Sequence, residues 1–305
     1  MNATSEAKAM DIVELAGLSA PQTPIRDYLM LAKPRLSSLV LLATLAGFFF
    51  GCTGQIDFVL LIGTLLGTAL VACGASALNQ VLEIKNDALM VRTQNRPLPT
   101  RRLGVEQVLY FGVAMGVTGM LCLALCVNLA SAQWAALTLA LYVFVYTPLK
   151  QITSLNTLVG AIPGALPPLI GFAAARGELN AQAWCLFAIL FTWQLPHFLA
   201  IAWIYRQDYA RAGFQMLPAL DPEGFSTGRQ IALHSLMLLP LSLLPFMLHM
   251  SGWVYLISAA LMSVAFIIFA LNFTFKRSDK AARQLFLASV AYLPLLLAVM
   301  MYDRN

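Results

Sequence analysis

Between Asn79 and Pro99 an apolar run gives way to Asn79-Gln80-Val81-Leu82-Glu83-Ile84-Lys85-Asn86-Asp87, and then to Arg92-Thr93-Gln94-Asn95-Arg96-Pro97-Leu98-Pro99. Asn79, Glu83 and Asp87 are oxygen donors at steps of four. On a helix such a stripe rises about 6 Å and drifts about 40° per step. Hard cations such as Mg²⁺ take oxygen ligands, keep several waters and bridge carboxylates to phosphates. Neighbours in the stripe can share one ion or flank two, whereas Asn79 and Asp87, about 12 Å apart on a straight helix, cannot both touch the same one. Arg92 and Arg96 repeat the spacing with guanidinium groups, which grip phosphate in bidentate fashion. Their spacing predicts one shared helix face, with Pro97 and Pro99 stopping the helix. The pattern suits a divalent cation holding a polyanion. A solvated helix end with topogenic arginines is the plain alternative.

Two later segments carry the other candidates. In Tyr146-Thr147-Pro148-Leu149-Lys150, Lys150 is the one charge of its loop, and it reads either as a phosphate contact or as a topogenic lysine. Tyr146 can offer a ring face to a cation. Farther on, Trp193-Gln194-Leu195-Pro196-His197-Phe198 lies inside an apolar run, and Arg206-Gln207-Asp208-Tyr209 follows it. His197 and Asp208 stand three helical turns apart, so both can face one cavity at different depths. A packing histidine and a surface Asp208–Arg206 pair are the alternatives. His234 and His249 lack such company and read as structural. From Gly160 to Gly171 small residues and prolines predict a bent helix lining the pocket.

The elements that must position these groups are membrane spans. Of 305 residues 60% are hydrophobic and 11% charged, against roughly 45–50% and about 25% in soluble domains. Nine stretches are long enough to cross a bilayer: about 37–54, 58–78, 107–129, 132–147, 155–174, 182–204, 230–249, 252–274 and 284–302. The expected fold is an all-α polytopic bundle. With a cytoplasmic N-terminus, all of the 19 Lys and Arg residues except Arg176 and Arg304 fall on inner segments, as the positive-inside rule requires. The net charge of +5 thus reports topology, and no nucleic-acid partner is implied. Residues 1–25 have no apolar core for a cleavable signal, and Glu6, Asp11 and Glu14 argue against a transit peptide. The five cysteines lie in or beside apolar runs and predict no disulfide. We expect a polar cytoplasmic segment over residues 1–30 and a single membrane domain over 31–305, its site opening to the cytoplasm.

Taken together, N-Q-x-x-E-x-x-x-D-x-x-M-x-R-T-x-N-R-P-L at 79–98, Y-T-P-L-K at 146–150, N-x-x-x-G-A-x-x-G-A-x-P-P-L-I-G at 156–171, W-Q-x-P-H-F at 193–198 and D-Y-x-x-x-G-x-x-M-L-P at 208–218 resemble the UbiA superfamily of intramembrane prenyltransferases, and within it the haem-farnesylating branch. The resemblance implies farnesyl diphosphate and haem b as substrates, Mg²⁺ as cofactor, and haem O and diphosphate as products, in a bacterial inner membrane. It makes Asn79, Glu83, Asp87 and Asp208 the metal ligands, and Arg92, Arg96, Lys150 and Arg206 the diphosphate contacts. Asp87, Arg92, Arg96, Lys150 and Tyr146 become the catalytic set, and Trp193, His197 and Tyr209 the acceptor pocket. Two departures stand out: Glu83 occupies a position where many bacterial relatives carry Asp, and Ala212 leaves the second D-x-x-x-D motif incomplete. Protein partners of the kind implied are a haem A synthase or an oxidase assembly factor. A relative using a quinone precursor or chlorophyllide as acceptor is the nearest alternative. A transporter for an anion is the next, although no internal repeat supports it.

Overall fold

The computed structural model describes residues 24–305, and the part of the N-terminal segment before Pro24 lies outside the described residues. The elements of the described residues are helices: α1 (Pro24–Ala32), α2 (Pro34–Gly51), α3 (Phe58–Leu82), α4 (Ile84–Leu89), α5 (Val105–Cys126), α6 (Leu129–Leu149), α7 (Asn156–Ala165), α8 (Pro167–Arg176), α9 (Ala181–Ile204), α10 (Arg206–Arg211), α11 (Leu217–Leu220), α12 (Phe225–Met247), α13 (Trp253–Lys276) and α14 (Asp279–Tyr302). Eight helical stretches are long and apolar enough to span a membrane, with α7 and α8 together forming one, and a ninth is reached if α1 and α2 count as a single span bent by 52°. Nine stretches were expected, and each corresponds to one of these.

Local chemistry sets the boundaries. Asp57 caps α3 by accepting from the amides of Val59 and Leu60 at 2.9 and 3.1 Å, and Asn180 caps α9 in the same way, each satisfying orphan donors of a first turn. Between α7 and α8 the chain breaks at Leu166, ahead of Pro167 and Pro168. The small residues and prolines from Gly160 to Gly171 were expected to line the pocket, but none lines the cavity at the polar end, because they pack closely against neighbours such as Thr44 of α2 and Gln194 of α9. Near its end α6 widens into a π-helical stretch over Leu141–Tyr146. Pro148 has no amide hydrogen to give the carbonyl four residues back, and the Thr147 hydroxyl and amide both bond to Tyr142 O.

Where the spans touch, glycine lets backbones meet. A Cβ on Gly74 would stand 2.6 Å from the backbone of Gly112 and Gly116, which seats α3 against α5. Small residues are the usual means of close approach where lipid removes the hydrophobic drive. Around α9, the aromatic and aliphatic core joins α2, α8, α12, α13 and α14.

The two ends of the bundle differ. At one end short connections are closed by backbone caps: Asn128 donates to Ala173 O and Ala174 O, Arg304 to Cys52 O, and Ser251 to Met300 O. At the other, three long connections (residues 83–104, 150–155 and 205–224) are laced together. Asn86 donates to Ala212 O at 2.8 Å and accepts from Gln151 at 3.1 Å. The Gln215 amide donates to Lys150 O at 2.7 Å, and Asn156 donates to Gln215 O at 2.9 Å. Helix α1 lies over this end, held by a 3.0 Å pair between Asp27 and Arg102 and by Gln80 donating to Leu31 O.

Candidate active site

Inside the laced end lies a cavity of about 110 Å³ whose lining includes Asn79, Glu83, Asp87, Arg92, Arg96, Tyr146, Lys150 and Tyr209. All eight were singled out from the sequence. Lys33, Met90, Tyr142, Phe214 and Met216 complete it.

The acidic stripe survives with a change of backbone. Helix α3 ends at Leu82, Glu83 leaves helical geometry (φ −102°, ψ 11°) and α4 begins at Ile84. The rise of four residues per step persists, because the Glu83 amide bonds to Asn79 O and the Asp87 amide to Glu83 O. All three donors are buried: Asn79 is 1%, Glu83 4% and Asp87 1% exposed. Asn79 Nδ2 donates to Thr147 Oγ1 at 3.0 Å, which leaves the amide oxygen as the atom to offer a cation.

The arginine segment departs from expectation. No helix carries Arg92 and Arg96; α4 stops at Leu89, well before Pro97, and residues 91–101 run as turns. Tertiary bonds explain this. Thr93 Oγ1 donates to Asp87 O at 2.8 Å, and Arg96 Nη1 reaches both Asp87 oxygens at 2.7 and 2.6 Å. Folding back onto Asp87 thus replaces the helical ladder. Arg92 turns the other way, with Nη2 2.6 Å from Tyr209 Oη and its guanidinium 4.5 Å from the centre of the Tyr209 ring.

Lys150 Nζ lies 2.7 Å from Glu83 Oε1 and 4.5 Å from the centre of the Tyr146 ring. Burial pulls its ammonium pKa down, but the Glu83 carboxylate and Tyr142 more than offset this, so the pKa stands above the ordinary lysine value. Tyr146 is itself seated by Gly160, where any Cβ would strike its ring.

Four predicted residues stand elsewhere. Asp208 was expected among the metal ligands, yet it does not line the cavity, and its Oδ1 lies 3.3 Å from Arg211 one turn on. Arg206 was expected on the diphosphate; instead it bonds to Asp279 at 2.7 Å and to Trp203 O. The cause is a break at Tyr205 (φ −108°, ψ 21°), where α9 ends and α10 starts. The three helical turns assumed between His197 and Asp208 are therefore interrupted at Tyr205. Trp193 and His197 turn toward α14, bonding to Ser289 O and Ser289 Oγ, and neither lines the cavity.

Lys33 was missed as a site residue. It sits at the α1–α2 junction with φ 47° and ψ 61°, a left-handed backbone that non-glycine residues rarely adopt and that clusters at functional sites. A Lys-Pro-Arg sequence opening the first span was the available signal. Asn86 and Asn156, which stitch the loops, left no signal, since nothing in their spacing points to a partner so far along the chain.

The cavity holds four cationic side chains (Lys33, Arg92, Arg96 and Lys150) against two carboxylates. Among the described residues no group of three His, Cys, Asp or Glu forms a metal cage. Glu83 with either neighbour, the Asn79 amide or the Asp87 carboxylate, nevertheless fits Mg²⁺, which commonly takes one or two carboxylates and fills its shell with water and phosphate oxygen. An apolar bundle with such a mouth defines a membrane enzyme acting on a phosphorylated lipid.

The particular family follows from comparison: residues 40–293 match the UbiA prenyltransferase family, and the chain belongs to it. The chain is 48% identical over 289 residues to the protoheme IX farnesyltransferase of Solibacter usitatus, covering 92% of this chain and 99% of the relative. It is 44% identical over 277 residues to that of Salinibacter ruber, covering 91% and 98%. Among solved structures, a UbiA homologue from Archaeoglobus fulgidus bound to DMAPP and Mg²⁺ superposes with a TM-score of 0.64 at 17% identity, over 90% of this chain and 99% of that one. A digeranylgeranylglyceryl phosphate synthase gives 0.74 at 16% identity, over 92% and 98%.

Proposed function

We propose that this prenyltransferase transfers the farnesyl group of farnesyl diphosphate to a vinyl group of haem b, giving haem O and diphosphate. The observation that carries the diphosphate half is the charge of the cavity, four cations against two buried carboxylates in a membrane bundle. The acceptor half rests on relatives named protoheme IX farnesyltransferase at 48% and 44% identity.

Lys33, Arg92, Arg96 and Lys150 bind the diphosphate and stabilise the negative charge that grows on it as the allylic C–O bond breaks, the preorganised electrostatics that dominate such steps. Asn79, Glu83 and Asp87 would hold Mg²⁺, only neighbours in the stripe sharing an ion, and its chemistry there is further neutralisation of the leaving group. Asp208 and Arg206 take no part in this site. Tyr142, Tyr146 and Phe214 line the same cavity and would favour the cationic character of the reacting carbon and exclude water until the new bond exists. The vinyl π pair forms the C–C bond as diphosphate departs. Water then captures the cation on the haem side chain and loses a proton, leaving a hydroxyethylfarnesyl arm.

The charge asymmetry supports a charged end facing the cytoplasm of a bacterial inner membrane. There a haem A synthase or an oxidase assembly factor would be the partner that receives the product. The test is to incubate purified protein in detergent with haem b and farnesyl diphosphate, with and without Mg²⁺, and to read product masses. A farnesylated, hydrated haem that requires Mg²⁺ is expected. Its absence under conditions that keep the protein folded would overturn the reading.

A further inference from the structure

His197 has one ring nitrogen engaged and one free, and a count of hydrogens tells them apart. Ser289 Oγ donates to Phe286 O at 2.6 Å. A serine hydroxyl has a single hydrogen to give, so at its 2.7 Å contact with His197 Nδ1 the same oxygen must accept. Nδ1 therefore carries the imidazole hydrogen, and Nε2 is left with a lone pair. Among the described residues Nε2 has no hydrogen-bond partner. The sealed, unpaired polar atoms there are Thr68 Oγ1, Ser76 Oγ, Gln80 Oε1 and Ser235 Oγ. Nε2 is not one of them, so it remains open to a ligand.

The ring is also held in plane. Trp193 stacks on it with centroids 5.0 Å apart and planes 20° apart, and Phe286 packs at 5.3 Å and 33°. Trp193 Nε1 donates to Ser289 O at 3.0 Å, so the stacking partner is anchored to the same residue. A neutral imidazole with its tautomer and plane fixed by a second residue and an open lone pair is the usual form of a metal-ligating histidine.

We infer that His197 Nε2 is an axial ligand of the iron of the acceptor haem, with Ser289 as the positioning residue. The inference rests on the haem reading above and deepens it by naming the atom that holds the iron. In this neutral tautomer Nε2 presents a lone pair, which suits the iron better than a haem propionate. Coordination forms one N–Fe bond and changes neither oxidation state nor proton count.

The test is titration of the full-length purified protein with ferric haem b, without farnesyl diphosphate, followed by absorption and electron paramagnetic resonance spectra. Wild type should show a nitrogen-ligated haem. His197→Gly should lose that signature and weaken haem binding at least about 10-fold, and added imidazole should restore it. His197→Met, which keeps the side-chain bulk, should replace the nitrogen signature with that of a sulfur ligand. Ser289→Ala should keep nitrogen ligation but lower affinity about 10-fold, as loss of an outer-shell partner does. Unaltered spectra in folded His197→Gly and His197→Met would overturn the inference. Product masses are read in parallel: haem O formed by wild type, with spectra indifferent to residue 197, removes ligation and leaves the activity standing. Histidine-ligated haem with no farnesylated product removes the activity and leaves ligation standing.

Discussion

Two acid–base groups occupy the same end of this bundle, made of the same residue types at the same distances. Asp87 with Arg96 and Glu83 with Lys150 pair at 2.6 and 2.7 Å, as Arg206 pairs with Asp279 at 2.7 Å. They differ in what surrounds them. The Asp87 and Glu83 side chains are 1% and 5% exposed and line the cavity, whereas Asp279 is 57% exposed on the rim. Exposed pairs contribute about 0–1 kcal/mol. Losing one partner of a buried pair costs about 3–5 kcal/mol, and well-packed apolar residues would often serve stability as well or better. Buried charges retained at such a cost point to a ligand whose own charge they answer.

The sharpest way to break this contrast is Asp87→Ala. We expect haem O formation to fall by about 10²–10³-fold, the scale of losing one preorganised charge contact, with an altered Mg²⁺ dependence. Asp279→Ala, measured by the same product assay, should stay within about fivefold. Equal effects would erase the distinction between cavity and rim.

Lys150→Met strands Glu83 in the bundle and should cost about 3 kcal/mol of stability, read as a lowered melting temperature in detergent. Adding Glu83→Gln should recover part of it. The pH dependence follows from the raised Lys150 pKa. A lysine raised on folding stabilises fully below its unfolded value, about 10.4, and loses that contribution only as pH climbs through the folded value. The penalty of Lys150→Met should therefore be the same at pH 7 and pH 9. A penalty that shrinks over this range would show that the ammonium is not held by Glu83.

Lys33→Ala tests the cation that no spacing rule flagged. It should raise KM for farnesyl diphosphate about 10-fold, on the order of one charged hydrogen bond, with a smaller change in kcat. An unchanged KM would take Lys33 off the diphosphate. The smallest effect belongs to Arg206→Gln, which should shift stability by less than about 1 kcal/mol and leave the KM for farnesyl diphosphate unmoved.

What the sequence made legible was what depends on composition and short spacing. Apolar length revealed the spans, and steps of four put Asn79, Glu83 and Asp87 along one wall. Backbone breaks were not legible, because a spacing of four looks helical whether or not the helix continues. The turn that carries Arg96 back to Asp87 depends on bonds from Thr93 and Arg96 themselves, and the break at Tyr205 separated Asp208 from the histidine it was expected to join. His197 was noticed, but the direction of its ring depends on Ser289, ninety-two positions away. Loop lacing through Asn86 and Asn156 was hidden for the same reason.

The widened turn at Leu141–Tyr146 makes residue count, as well as residue identity, part of the site. Deleting one amino acid from that turn while keeping every named side chain would let the coil tighten to its regular pitch. Everything after it would keep its facing, whereas the same deletion in the regular part of α6 would swing it by about 100°. In that second case Thr147 would lose Asn79, and Lys150 would lose Glu83. Chemical substitutions here can be graded, but a single-codon deletion in the regular part of the helix should act as a switch.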